Sequence, residues 1–231
     1  MSASIAAAPR PSCPLRRVIL FSGHMVDAPG RATPRFPPAL VPEAAQRIAA
    51  ALAALDAGPA DLGLTQGAAG GDLLFAEAAQ ARGMALQFLQ PFDEAEFIER
   101  SVRPVCDGED WVARYRAVAA RLARPPQVMP APAVGAGPMC GTHDALTLDK
   151  AAFDQATLDK PASDNPFERC NRWLLDTALA CGGERVWLLC LWDGQGGDGA
   201  GGTAHMVAEV QRHHGHVIHI DCRRLWKDAD A

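Results

Sequence analysis

RVWLLCLWDGQGGDGAGGTAHMVAEV, Arg185 to Val210, sets three kinds of sequence in a row. Arg185 to Trp192 is an apolar run of strand length, with no polar alternation, as expected of a strand buried on both faces. Glycines then crowd the chain up to Gly202, and from Thr203 to His214 the apolar residues return at helical spacing until Gly215 ends them. Glycine lets the backbone pass through φ > 0 and brings N–H groups close to a ligand, at an entropic cost when the turn orders. A helix N-terminus adds unpaired donors and the positive end of a dipole, which together favour an anion. Strand, glycine turn and helix form one unit, and its turn is a phosphate cradle, a tight bend or a linker.

Working outward, the same unit recurs. Arg16 to Gly23 reads as a buried strand, Pro42 to Leu55 as a helix with Pro at its start, and Asp61 to Gly67 as a second strand. A helix follows and closes at Gly83, and a third strand runs from Ala85 to Pro91. Two further helices span Asp93 to Val102 and Glu109 to Leu122. Residues 124–164 break the rhythm: RPPQVMPAPAVGAGP suits neither a regular helix nor a central strand, so a solvent-facing insertion is expected. TLDKAAFDQ and TLDKPASDN within it resemble each other, but two copies do not make a repeat architecture. Regularity resumes with a helix from Pro166 to Cys181, capped by Asn165, then the quoted unit and a last strand, His216 to Asp221. Strands alternating with helices predict an α/β fold: a Rossmann-like, doubly wound parallel sheet of about five strands in three α/β/α layers. One domain over 16–226, behind a flexible tail at 1–15, is the simplest organisation.

Composition narrows the classes. The chain has 231 residues, 48% of them hydrophobic and 21% charged, enough to bury a core. A net charge of -5 with scattered basic residues argues against a nucleic-acid surface. No run approaches the roughly 18 apolar residues of a membrane span, and the first residues lack a secretory pattern. Seven cysteines without a CxxC pair suggest reduced, mostly buried thiols and a cytoplasmic protein. His213, His214, His216 and His219 lack a ligand spacing, so no metal site is expected. There is no GxSxG elbow, no P-loop motif, and no GxGxxG after the first strand.

In an open parallel sheet, ligands bind beyond the carboxyl ends of the strands, where the winding reverses. Three glycine-rich turns fall at such ends: SGHMVDAPGR, TQGAAGGD and WDGQGGDGAGGT. If the first and fourth strands flank the switch point, all three line one crevice. Gly201, Gly202 and Thr203 would then offer donors to a phosphate, with Thr203 as cap and ligand. Arg31 and Arg35 are the expected phosphate partners. Ser22, Gly23 and His24, which open the first turn, and Gly70, Gly71 and Asp72, which begin the second helix, are further ligand-binding candidates. Asp193 and Asp198 suit ribose hydroxyls or a divalent cation, and plain Asx turns explain them equally well.

FSGHMVDAPGR, QGAAGGDLLFAE and WDGQGGDGAGGTAHMV together resemble the SLOG superfamily, Rossmann-like domains that include LOG-type nucleotide phosphoribohydrolases, DprA-like proteins and nucleotide-sensing modules. The resemblance covers Arg16 to Asp221 outside the Pro-rich insertion, and it implies a ligand like a nucleotide or nucleoside-diphosphate sugar. LOG-type hydrolases carry P-G-G-x-G-T-x-x-E across the last turn. Here Gly202 and Thr203 match its G-T, while Asp198 stands at the proline and Met206 at the catalytic glutamate. The leading expectation is therefore a nucleotide-binding or sensing domain. An N-glycosidic hydrolase or transferase would need another acid, Glu77 or Asp193, with Glu77 the best remaining candidate. A protein-interaction module with purely structural turns is the third reading. Domains of this kind often pair as homodimers.

Overall fold

The computed structural model describes residues 15–130, 165–194 and 202–229. Six parallel strands form one sheet: β1 (Arg17–Gly23), β2 (Asp61–Thr65), β3 (Ala85–Gln90), β4 (Gln127–Val128), β5 (Val186–Trp192) and β6 (His216–Asp221). Their order is β4-β3-β2-β1-β5-β6. The chain winds outward from β1 in one direction, then returns to its other side with β5, so the switch point lies between β1 and β5. Register there is continuous from Val18 opposite Val186 to Gly23 opposite Leu191.

The apolar runs behave as strands covered on both faces. In β1, Ile19 and Phe21 enter one core while Val18 and Leu20 enter the other. Helices α1 (Val41–Ala54), α2 (Gly71–Ala81) and α4 (Gly108–Ala119) build the first core, joined by α7 (Cys222–Ala229). Helices α5 (Pro166–Leu179) and α6 (Thr203–Arg212) build the second. The result is the three-layer Rossmann-like arrangement read from the sequence.

Three details differ. β4 lies at the start of the Pro-rich stretch, where Gln127 and Val128 extend the sheet at its edge beside Leu89 and Gln90. An edge strand tolerates flanking prolines because only one side of it is paired. The helix expected over 93–102 is a short α3 (Glu94–Phe97), capped by the Asp93 side chain, that widens into a π-turn over Ile98–Val102. α7 follows β6 directly, and its Cys222 and Leu225 join the first core. The pseudo-repeat, apart from Asn165, and the tail at 1–14 lie outside the described residues.

Candidate functional site

The carboxyl ends of β1 and β2 open into a cleft of about 400 Å3. Ser22, Gly23, His24, Arg31 and Arg35 line it from the first turn, Gln66, Ala68 and Asp72 from the second, and Gly202 and Thr203 from the third. The three turns thus meet at one place, as the switch-point rule requires. Asn165 and Asn171 of the α5 region and Ser101 of the π-turn complete the walls.

The loop after β1 is organised by Asp27. Its buried carboxylate accepts the N–H groups of Arg35 and Phe36, at 3.0 and 3.1 Å from Oδ2, and lies 3.4 Å from Arg31 Nε. One carboxylate therefore holds both arginines at the cleft. Arg31 also donates to the Thr33 carbonyl at 2.9 Å, and Arg35 Nε lies 3.8 Å from Asp193 Oδ2. The Asp193 N–H lies 3.3 Å from His24 Nε2. Asp193 is engaged with His24 and Arg35, and its side chain supports the rim without lining the cleft.

The second turn is held by backbone contact. Gly71 N–H donates to the His24 carbonyl at 3.1 Å, and Val26 N–H to the Ala69 carbonyl at 3.2 Å. Gly70 sits at φ 109°, and a Cβ there would stand 2.6 Å from Val26 N. Only glycine accepts that backbone and that approach. The Gly70–Gly71 pair thus joins two turns, and neither of these two ligand-binding candidates lines the cleft.

Asp72 lies in the first turn of α2, and its Oδ2 accepts from Gly67 and Ala68 N–H at 3.2 and 3.3 Å. Burial pushes its carboxyl up to about 6, against the downward pull of the N–H donors around it. A carboxyl held near neutrality in a cleft can exchange a proton with a ligand. Nearby, Gln66 donates to Asn171 Oδ1 at 2.5 Å, and the Gln66 carbonyl accepts from Gln90, which also meets Tyr115 Oη.

At the third turn Gly202, with extended backbone, is the N-cap, and Thr203 is the first helical residue. Thr203 therefore does not cap α6, contrary to expectation. Its hydroxyl instead meets Ser22 Oγ at 2.9 Å, tying α6 to β1 across the switch point. Gly201 and Asp198 lie outside the described residues.

Glu77 is not brought to the cleft. Its carboxylate forms a bidentate pair with Arg114 of α4 at 2.7 and 2.6 Å. The sequence reading also missed Asp27, Gln66, Asn171 and Ser101. Asp27 carried a local signal, a carboxylate between two candidate arginines and the strand. Ser101 carried none, since it sits inside an expected helix.

The described histidines do not converge either: His216 stacks on Trp187 and His219 packs by Trp192. Among the described residues, no group of three or more His, Cys, Asp or Glu could hold a metal ion, and no helix is long and apolar enough to cross a membrane. Fold and cleft define a Rossmann-like α/β domain with its opening at the switch point. A scan against protein-family models finds no match, and a search of curated proteins returns no similar sequence.

Proposed function

We propose that this chain binds a nucleotide or nucleotide derivative in the cleft at the switch point, as a sensing domain in the cytoplasm. The observation that carries this reading is the meeting of the α6 N-terminus with Arg31 and Arg35 around one cleft. Unpaired N–H groups and the dipole of α6 favour a phosphate at Gly202–Thr203. Arg31 and Arg35, held beside Asp27 and Asp193, place two guanidinium groups at the cleft. The volume lies in the range of small-molecule sites. The SLOG resemblance points to the same ligand class.

A second reading, N-glycosidic cleavage, is favoured by one observation: a buried carboxyl raised to about 6 lines the cleft at Asp72. Asp72 would protonate the departing base or stabilise positive charge at the anomeric carbon, roles in which Glu77 is now poorly placed. The two readings separate in one experiment. The purified protein is incubated with a panel of nucleotides and nucleotide sugars, and melting temperature and released base are followed together. A ligand a hundredfold above its Kd stabilises by about 2.7 kcal/mol, a rise in Tm of roughly 5–10 °C for a chain of this size. A shift without release supports binding alone. Release that disappears in Asp72→Asn supports the enzyme, and no shift with any ligand rejects both.

A further inference from the structure

The cleft has a second polar end, which the phosphate reading leaves unused. It is built from the turn after β2 and the π-turn that follows α3, elements on the other side of β1 from α6. Ala68 N–H donates to Asp72 Oδ2 and the next residue, Ala69, donates to the Ser101 carbonyl at 2.9 Å. Two consecutive amides thus tie this turn to the Asp72 carboxyl and to the Ser101 backbone. Both residues line the cleft.

Ser101 is 2% exposed, and its Oγ has no hydrogen-bond partner among the described residues. Buried hydroxyls are nearly always paired, and an exception needs a reason. A π-turn in place of regular helix is also frequent where a side chain is aimed at a function. Phe21, Pro104 and Val105 line the same cleft, so polar and apolar groups share its wall.

We propose that Ser101, together with Asp72, binds a hydroxyl-bearing group of the ligand: the sugar hydroxyls, on the reading that the ligand is a nucleotide. A serine hydroxyl donates and accepts, and a carboxyl does the same according to its proton, so the pair suits a partner that is both donor and acceptor. Phosphate, an acceptor facing a carboxyl, does not fit this end. A sugar adjoins the phosphate in every nucleotide, and one cleft of about 400 Å3 holds both ends.

The test uses calorimetric titration of the full chain and of Ser101→Ala and Asp72→Asn. The probes are the ribonucleoside diphosphates ADP, GDP, CDP and UDP, their 2′,3′-dideoxy counterparts, and inorganic pyrophosphate. Ser101→Ala is expected to weaken the bound ribonucleotide about fivefold to tenfold, the loss of one buried hydrogen bond. It should leave pyrophosphate and the dideoxy probe unchanged, and the unliganded Tm unchanged or higher, since an unpaired hydroxyl has been removed. Asp72→Asn, which keeps an acceptor for Gly67 and Ala68, should weaken the same ribonucleotide and spare pyrophosphate. Equal binding of the ribonucleotide by all three proteins overturns the proposal while the nucleotide reading stands. So does an equal loss for pyrophosphate, or a Tm drop in Ser101→Ala, either of which marks a structural serine. No binding of any diphosphate overturns both.

Discussion

Asp61 and Asp72 are both buried carboxyls, one at the amino end of β2 and the other just past its carboxyl end. Asp61 is enclosed by Arg16 and Arg17, with Arg16 Nη2 at 2.7 Å and Arg17 Nε at 3.1 Å, and it also accepts the Gly58 N–H. Burial alone would raise its carboxyl, but these donors outweigh burial and hold it at about 2. Asp72 receives backbone N–H groups and no such cation pair, and burial carries it up to about 6. The amino end of the sheet is closed by charge pairing. The carboxyl end is held by close backbone approach, with Asp72 and Ser101 among the residues lining the cleft. The difference separates an end of the sheet closed by paired charge from an end that opens on the cleft.

Removing the backbone approach should break the comparison most severely. Gly70→Val places a side chain at φ 109° with a Cβ already 2.6 Å from Val26 N, a loss of at least ~3 kcal/mol from strain and displacement of the turn. Chemical denaturation measures it, and a change under 1 kcal/mol would mean the turn yields freely and does not order the cleft.

Asp61→Ala should follow closely. It leaves Arg16 and Arg17 without their shared partner, a loss of about 3 kcal/mol and a Tm lower by roughly 10 °C. Ligand affinity should stay the same, since Asp61 is at the far end of the sheet. The ion pair's own contribution is present above the unfolded aspartate pKa and disappears as pH falls toward 2. An unaltered Tm for Asp61→Ala would show that the pairing does not hold this end.

Asp72→Asn should act in the opposite direction, and less. A folded pKa raised to about 6 means the native state keeps a proton that the unfolded chain has released. This group therefore favours folding most at low pH, and its contribution falls as pH rises from about 4 to about 6. At pH 8 the ionised Asp72 costs on the order of 3 kcal/mol, so Asp72→Asn should be as stable as the parent or more stable there. Unfolding free energies at pH 5 and pH 8 check this. A variant less stable at pH 8 than at pH 5, by the parent's own difference, would assign the slope to another group.

Much of this was legible in the chain before folding. The sequence marks Asn165 as the cap of α5, and its side chain accepts the Phe167 N–H at 3.0 Å. Uninterrupted apolar runs predict doubly covered strands, and β1 and β5 are that. These features are local: a cap is set by neighbours two residues away, and a buried run is visible as composition. β4 was not legible, because two residues among prolines carry no periodicity. Thr suits a cap, so the sequence points to Thr203 there, but Gly202 occupies that position and the hydroxyl goes to Ser22, 181 positions earlier in the chain.

The sequence by itself determined a Rossmann-like α/β fold and the placing of its glycine turns at strand ends, since residue pattern and turn chemistry act over a few neighbours. The tertiary structure decided which side chains share the cleft. Glu77 and Asp72 are five residues apart on one helix, a rotation of about 140°. That angle sends one to Arg114 and the other into the cleft. No local rule sets the direction a helix faces; its packing against the sheet does.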